Sequence, residues 1–207
     1  MPRLTSKFIQ RELTKLMEPT LESQGYQKIR SGLFINEIPD VQRIIGVACF
    51  FSRGVYRITL GFRVRFPAVE QVFREGQGDP DLRGTFGGLA KHVLGSGEGD
   101  WICHNQTEIP SIADRLLVVC KDGIAFLESN SSMEMVRKRI AAKSPPRYTA
   151  QDEACVLAAM DTVDGHTTGA LTRLDDFIAA RKDEVPGKWR FAKELRDYIA
   201  DAMPKQP

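Results

Sequence analysis

The stretch VQRIIGVACFFSRGVYRITLGFRVRF, residues 41–66, alternates apolar and polar side chains more cleanly than any other part of the chain. In its second arm Tyr56, Ile58, Leu60, Phe62, Val64 and Phe66 take one face, while Arg57, Thr59, Arg63 and Arg65 take the other. A period of two is that of a half-buried strand. A tight connection at Arg53-Gly54 pairs Phe51 with Tyr56, Cys49 with Ile58, Val47 with Leu60 and Ile45 with Phe62. Both arms then bury one shared face, and the pattern over-determines the register.

Upstream, Ile9, Leu13, Leu16, Met17, Thr20 and Leu21 form one stripe of an amphipathic helix over residues 5–24, capped at Thr5-Ser6. Pro19 is expected to kink or restart it, and Gly25 to stop it. Two short runs, Tyr26 to Arg30 and Leu33 to Ile38, flank Ser31-Gly32, and Pro39-Asp40 separates the second run from Val41. Three turns in so short a span predict an antiparallel meander, with Phe34 opposite Ile45 and the first helix over the buried face.

Downstream, eight of the seventeen glycines fall between Glu75 and Asp100, which predicts a long connection broken by a helical turn near Leu89 to Leu94. The glycine spacing matches neither a P-loop nor a dinucleotide fingerprint. Trp101 to Gln106 is expected to return to the sheet as a fifth strand. A core helix then runs from Pro110-Ser111 to about Glu128. Ser131 with Glu134 predicts a capped basic helix that ends before Pro145-Pro146, the best boundary in the chain. Three helices follow: Ala150 to Thr162 behind a Thr149/Asp152 box, Ala170 to Glu184, and Pro186 to Met203. The resulting expectation is an α+β fold, with an antiparallel meander domain at 1–143 and a helical C-terminal subdomain at 144–207. The apolar stripes Leu171/Leu174/Ile178 and Phe191/Leu195/Tyr198 need a surface. Either the first domain supplies it or a second copy does, as a homodimer through these helices, with Trp189 and Phe191 near the contact.

Composition narrows the function classes. With 29 basic and 27 acidic residues the net charge is +2, too small to call for a polyanionic partner. Cys49, Cys103, Cys120 and Cys155 lie far apart and form no C-x-x-C pair, so they read as reduced core thiols, and no metal or other cofactor is expected. The charged N-terminus lacks a signal-peptide core, and no apolar run reaches membrane-spanning length. The expected location is the cytoplasm, with no membrane partner.

The opening helix, Glu22-Ser23-Gln24-Gly25-Tyr26-Gln27-Lys28 running into a strand, and the strand Val55 to Phe66 together resemble a bacterial family known as a domain of unknown function. The resemblance covers about the first 130 residues. It implies a small cytoplasmic protein, some members resembling immunity proteins that neutralise toxins, and it carries over no catalytic residue.

The chemically distinctive surface is the sheet face opposite the core, where Arg57 faces Phe50 and Arg63 faces Ile44. Guanidinium groups beside apolar residues suit anionic recognition, although a solvated face kept soluble by its arginines is the simpler account. The candidate binding set is Arg57, Arg63, Arg65 and Phe50, with Trp101 and His104 from the segment after the glycine-rich stretch. No catalytic set is recognised. Cys103 and His104 are adjacent on a strand and point to opposite faces, so only His92 or His166 could partner the thiol. Asp161 to Gly165 fails the ligand pattern of a calcium loop and reads as a helix-to-helix turn. The run Arg137, Lys138, Arg139, Lys143 and Arg147 lacks aromatic interleaving, which reads as a solvated helix face and argues against nucleic acid. Two functions follow. One is a non-enzymatic binding protein for another protein, a toxin in the immunity-type case. The other is an enzyme or small-ligand receptor with its site under residues 76–99 and His92, Cys103 and His104 as the polar groups.

Overall fold

The computed structural model describes residues 4–77, 85–95, 100–144, 148–185, 187 and 189–202. Helix α1 (Ser6–Ser23) begins where the Thr5 hydroxyl accepts a hydrogen bond from the Phe8 amide at 3.1 Å. Its stripe Ile9, Leu13, Met17 and Leu21 is buried, whereas Leu16 and Thr20 lie on the exposed side. Pro19 neither ends nor restarts the helix: it lies on the exposed side near the C-terminal end, as does Lys15, whose carbonyl loses its partner there. Gly25, at φ 82°, ends it: the Tyr26 amide donates to the Leu21 carbonyl and the Gly25 amide to that of Glu22, while the Tyr26 and Leu21 side chains are both buried.

Strands β1 (Gln27–Arg30), β2 (Leu33–Ile38), β3 (Val41–Ser52) and β4 (Val55–Arg65) then form the expected antiparallel meander. Its turns have two residues each. Gly32, Asp40 and Arg53-Gly54 take positive φ, and at the last turn both residues do so, which matches the right-handed twist of the hairpin. The pairs Phe51 with Tyr56, Cys49 with Ile58, Val47 with Leu60, Ile45 with Phe62 and Phe34 with Ile45 are all present.

The glycine-rich region departs from the expected long connection. Helix α2 (Pro67–Gln77) occupies its start and turns Val69 and Val72 inward. Strand β5 (Phe86–Leu89) pairs with residues 61–64 of β4, and α3 (Ala90–Val93) supplies the expected helical turn. Phe-Gly-Gly-Leu has no alternation of its own to announce a strand. Gly87, at φ 138°, sits where any side chain would run into the backbone at Phe62 and Arg63, so glycine is what lets β5 lie against β4. Strand β6 (Asp100–Cys103) pairs with residues 56–59 of the same edge and is thus the sixth strand. Gly78, Gly84, Gly97 and Gly99 of the expected connection lie outside the described residues.

Helix α4 (Ile109–Ser129), with Pro110 in its first turn, lays Ile112, Leu116, Cys120 and Leu127 over the sheet beside α1. Gly123 of α4 touches the Phe62 ring. Helix α5 (Met133–Ala141) starts one residue later than expected: Ser132 is the cap, while the Ser131 hydroxyl donates to the Leu127 carbonyl and accepts from Arg43 Nε at 2.8 Å. Helices α6 (Ala150–Val163), α7 (Thr167–Ala179) and α8 (Arg190–Ala202) make up the helical C-terminal part, α6 behind the expected Thr149/Asp152 cap. Pro145, Pro146, Arg147, Pro186 and Met203 lie outside the described residues.

The C-terminal helices dock on the first part of the chain. Phe191 stacks on Phe73 of α2 with ring centroids 6.4 Å apart, Tyr198 donates to Glu75, and Gly76 leaves room for Leu195 and Tyr198. At the other end of this contact the Tyr148 hydroxyl donates to the Thr85 carbonyl at 3.0 Å and accepts from the Gly87 amide at 3.3 Å, with its ring against Phe86. The stripes that called for either the first domain or a second copy therefore pack within one chain, Leu174 and Leu195 buried and Leu171, Ile178, Phe191 and Tyr198 half-buried. No helix among the described residues is long and apolar enough to cross a membrane.

Candidate functional site

Because β3 and β4 alternate strictly, everything that α1 and α4 do not cover faces the other way. That outer face is read most easily in rows across the strands. Phe50, Arg57 and Ile102 form one row, and Ala48, Thr59 and Asp100 the next. Leu33, Gly46, Gly61 and Leu89 follow, then Ile35, Ile44, Arg63 and Gly87, then Glu37, Gln42 and Arg65. A groove of about 440 Å³ runs over the middle of these rows. Gln10 of α1 closes one end, its side-chain amide donating to the Ser31 and Val47 carbonyls at 3.1 and 3.0 Å.

The floor is apolar. Ile35 and Ile44 are 9% and 7% exposed, yet neither belongs to the main core cluster. They form a separate small apolar layer on the far side of the sheet. Phe50 and Ile102, 44% and 43% exposed, extend it beyond the groove and flank Arg57 on its neighbouring strands.

The charges are arranged unevenly. Arg65 donates to the Gln42 side-chain oxygen at 3.0 Å, and Gln42 in turn donates to Glu37. Asp100 pairs with Lys91 at 3.3 Å. Arg57 and Arg63 have no acidic partner among the described residues. The outer face is thus an apolar floor edged by two guanidinium groups, those of Arg57 and Arg63, that no described carboxylate neutralises.

Of the candidate residues, Arg57, Arg63, Arg65 and Phe50 share this face as expected. Trp101 does not. It pairs with Ile58, is 2% exposed and points into the core, since the parity of β6 against β4 puts Trp101 and Cys103 on the core side and Ile102 outside. Ile102 is the residue that sequence reasoning missed, and knowledge of the β4–β6 register would have found it. His104 is exposed one residue past β6, its amide donating to Glu108 at 2.7 Å.

Cys103 and His104 point apart as expected. The Cys103 thiol donates to the Asn105 carbonyl, and burial pushes its pKa up. Burial likewise drives the Cys49 thiol up to about 11 and those of Cys120 and Cys155 up to about 12. A thiol held protonated is a poor nucleophile. No group of three or more His, Cys, Asp or Glu side chains suited to a metal ion occurs among the described residues.

The described members of the basic run are partnered within the chain, Lys138 by Glu134 of its own helix. Arg137 bonds Asp161 and Asp164 at 2.9 and 2.7 Å, Lys143 bonds Glu153, and Arg139 lies over the Phe126 ring. Asp161 also accepts from Arg173, so the two carboxylates at the turn between α6 and α7 tie helices together.

Comparison with known proteins finds no matching family model, no similar curated protein and no similar solved structure.

Proposed function

We propose that this chain is a non-enzymatic binding protein that holds another protein against the outer face of its sheet. The observation that supports this is the buried pair Ile35 and Ile44 on a face outside the main core, beside Arg57 and Arg63, which lack acidic partners among the described residues. A sheet face that served only for solubility would carry polar side chains over its middle rows. Apolar centres edged by arginine are the composition of protein interfaces. The resemblance of the first 130 residues to a bacterial family with immunity-like members gives the reading its specific form: a cytoplasmic protein that occupies and neutralises a toxin. The alternative, an enzyme or small-ligand receptor under residues 76–99, has less support, because Cys103 is turned into the core while His92 and His104 are exposed.

Pull-down from a bacterial lysate, comparing the wild type with an Arg57→Ala, Arg63→Ala, Arg65→Ala variant, tests the reading. The wild type should retain a partner that the variant loses, with both melting alike. Identical partner lists would count against this face.

A further inference from the structure

Gly46 and Gly61 sit side by side in the middle of two long strands, a position where glycine costs about 0.5–1 kcal/mol relative to alanine. Neither takes a positive φ. A side chain on Gly61 would press on the Gly88 carbonyl at 3.3 Å, which gives that glycine a local reason. Gly46 has none: a Cβ there would meet nothing within 4 Å. What the pair creates is a hollow with a two-glycine floor, walled by Leu33 on one side and Leu89 on the other in the same row.

Rows on one face of a strand are about 6.6–6.8 Å apart. Along β4, Arg63 therefore stands one row from the hollow, about 7 Å away, and Arg57 two rows away in the opposite direction, about 13 Å. Between them lie only Thr59 and Gly61, so the hollow is open along the strand and cationic at both ends.

We infer that the outer face takes an acidic, extended segment of a partner protein, which seats one large apolar side chain over Gly46 and Gly61 and offers carboxylates to Arg63 and Arg57. This rests on the protein-binding reading above and names the chemistry of the partner. An extended segment has the same two-residue repeat as the rows beneath it. It would place one carboxylate two positions from the apolar residue and a second four positions away on the other side. Charge complementarity selects the acidic partner, because the carboxylates described on the face itself, Glu37 and Asp100, are already held by Gln42 and Lys91.

The test is selection of random displayed peptides on the full chain, with Gly46→Leu and Arg57→Glu, Arg63→Glu variants as counter-targets, each first shown to melt as the wild type does. The inference expects enriched peptides to carry one large apolar residue between carboxylates. A synthesised clone should bind both variants at least about tenfold more weakly, and should weaken as salt rises. Enriched peptides without acidic residues, clones that bind Gly46→Leu as tightly as the wild type, or no enrichment at all would overturn it. A lysate partner lost by the triple alanine variant while selection yields no acidic peptide would sink this inference and leave the protein-binding reading standing.

Discussion

Glycine has opposite roles on the two sides of the sheet: Gly46 leaves open space on the outer face, whereas Gly123 of α4 allows close packing on the core side. On the core side Gly123 of α4 is buried against Phe62, itself fully buried, and an added Cβ would overlap the ring. In an exposed helix, replacing glycine with alanine stabilises by about 1 kcal/mol. Here the ring has no free space to move into, so Gly123→Ala should instead destabilise by about 1–3 kcal/mol through overpacking. Urea denaturation measures this directly, and an unchanged or raised midpoint would show that the α4-to-sheet contact is looser than described. At this scale the sequence was informative where residue chemistry acts locally. The Thr5 and Thr149 caps, the Gly25 stop and the positive-φ turn at Arg53-Gly54 all stand where their residue types call for them. Ser131 was misread because two adjacent serines both fit a cap, and only the contact with Arg43 decides which is free to serve.

Among the elements, β5 is the one whose position depends most on others. Four residues with two glycines have little intrinsic strand preference, so this strand is held by β4 on one side and by Tyr148 on the other. Thr85, just before it, accepts from the Phe66 amide at 3.0 Å and donates to Glu70, which ties β5 to the start of α2. Tyr148→Phe keeps the ring against Phe86 but removes the hydroxyl that serves both Thr85 and Gly87. The expected loss is about 1–2 kcal/mol, with faster hydrogen exchange at the Gly87 amide. Exchange at Gly87 unchanged from the wild type would show that β4 alone holds the strand. Helix α2 has the same dependence: its Val72 and Phe73 face acquires a purpose only through α8 and α6, which lie over 70 residues away along the chain.

For the molecule as a whole, the C-terminal helices complete the structure and are not an appendage. Removing everything after Ser144 would strip Phe191, Leu195 and Tyr198 from α2 and Tyr148 from β5. Re-exposing large apolar side chains costs about 1.5–3 kcal/mol each. The truncated chain should therefore melt well below the full one and tend to self-associate through the bared α2. A first part that keeps the melting temperature and the monomer-to-oligomer distribution of the full chain would mean that these contacts carry no stability. The same docking leaves the outer sheet face, on the opposite side of the sheet from α1 and α4, with its exposed Phe50 and Ile102 outside the main core.

The sequence by itself determined the meander, its three two-residue turns and the pairing of β3 with β4, because alternation and turn chemistry are properties of neighbours along the chain. It also placed the arginines on one face, since parity within β4 needs no other strand. Only the tertiary structure decided that Trp101 lies inside and Ile102 outside, that α2 receives the C-terminal helices, and that Leu33, Gly46, Gly61 and Leu89 fall in one row. The glycine row joins residues from four separate strands. No local period can encode it until β5 and β6 have been paired to the edge of β4.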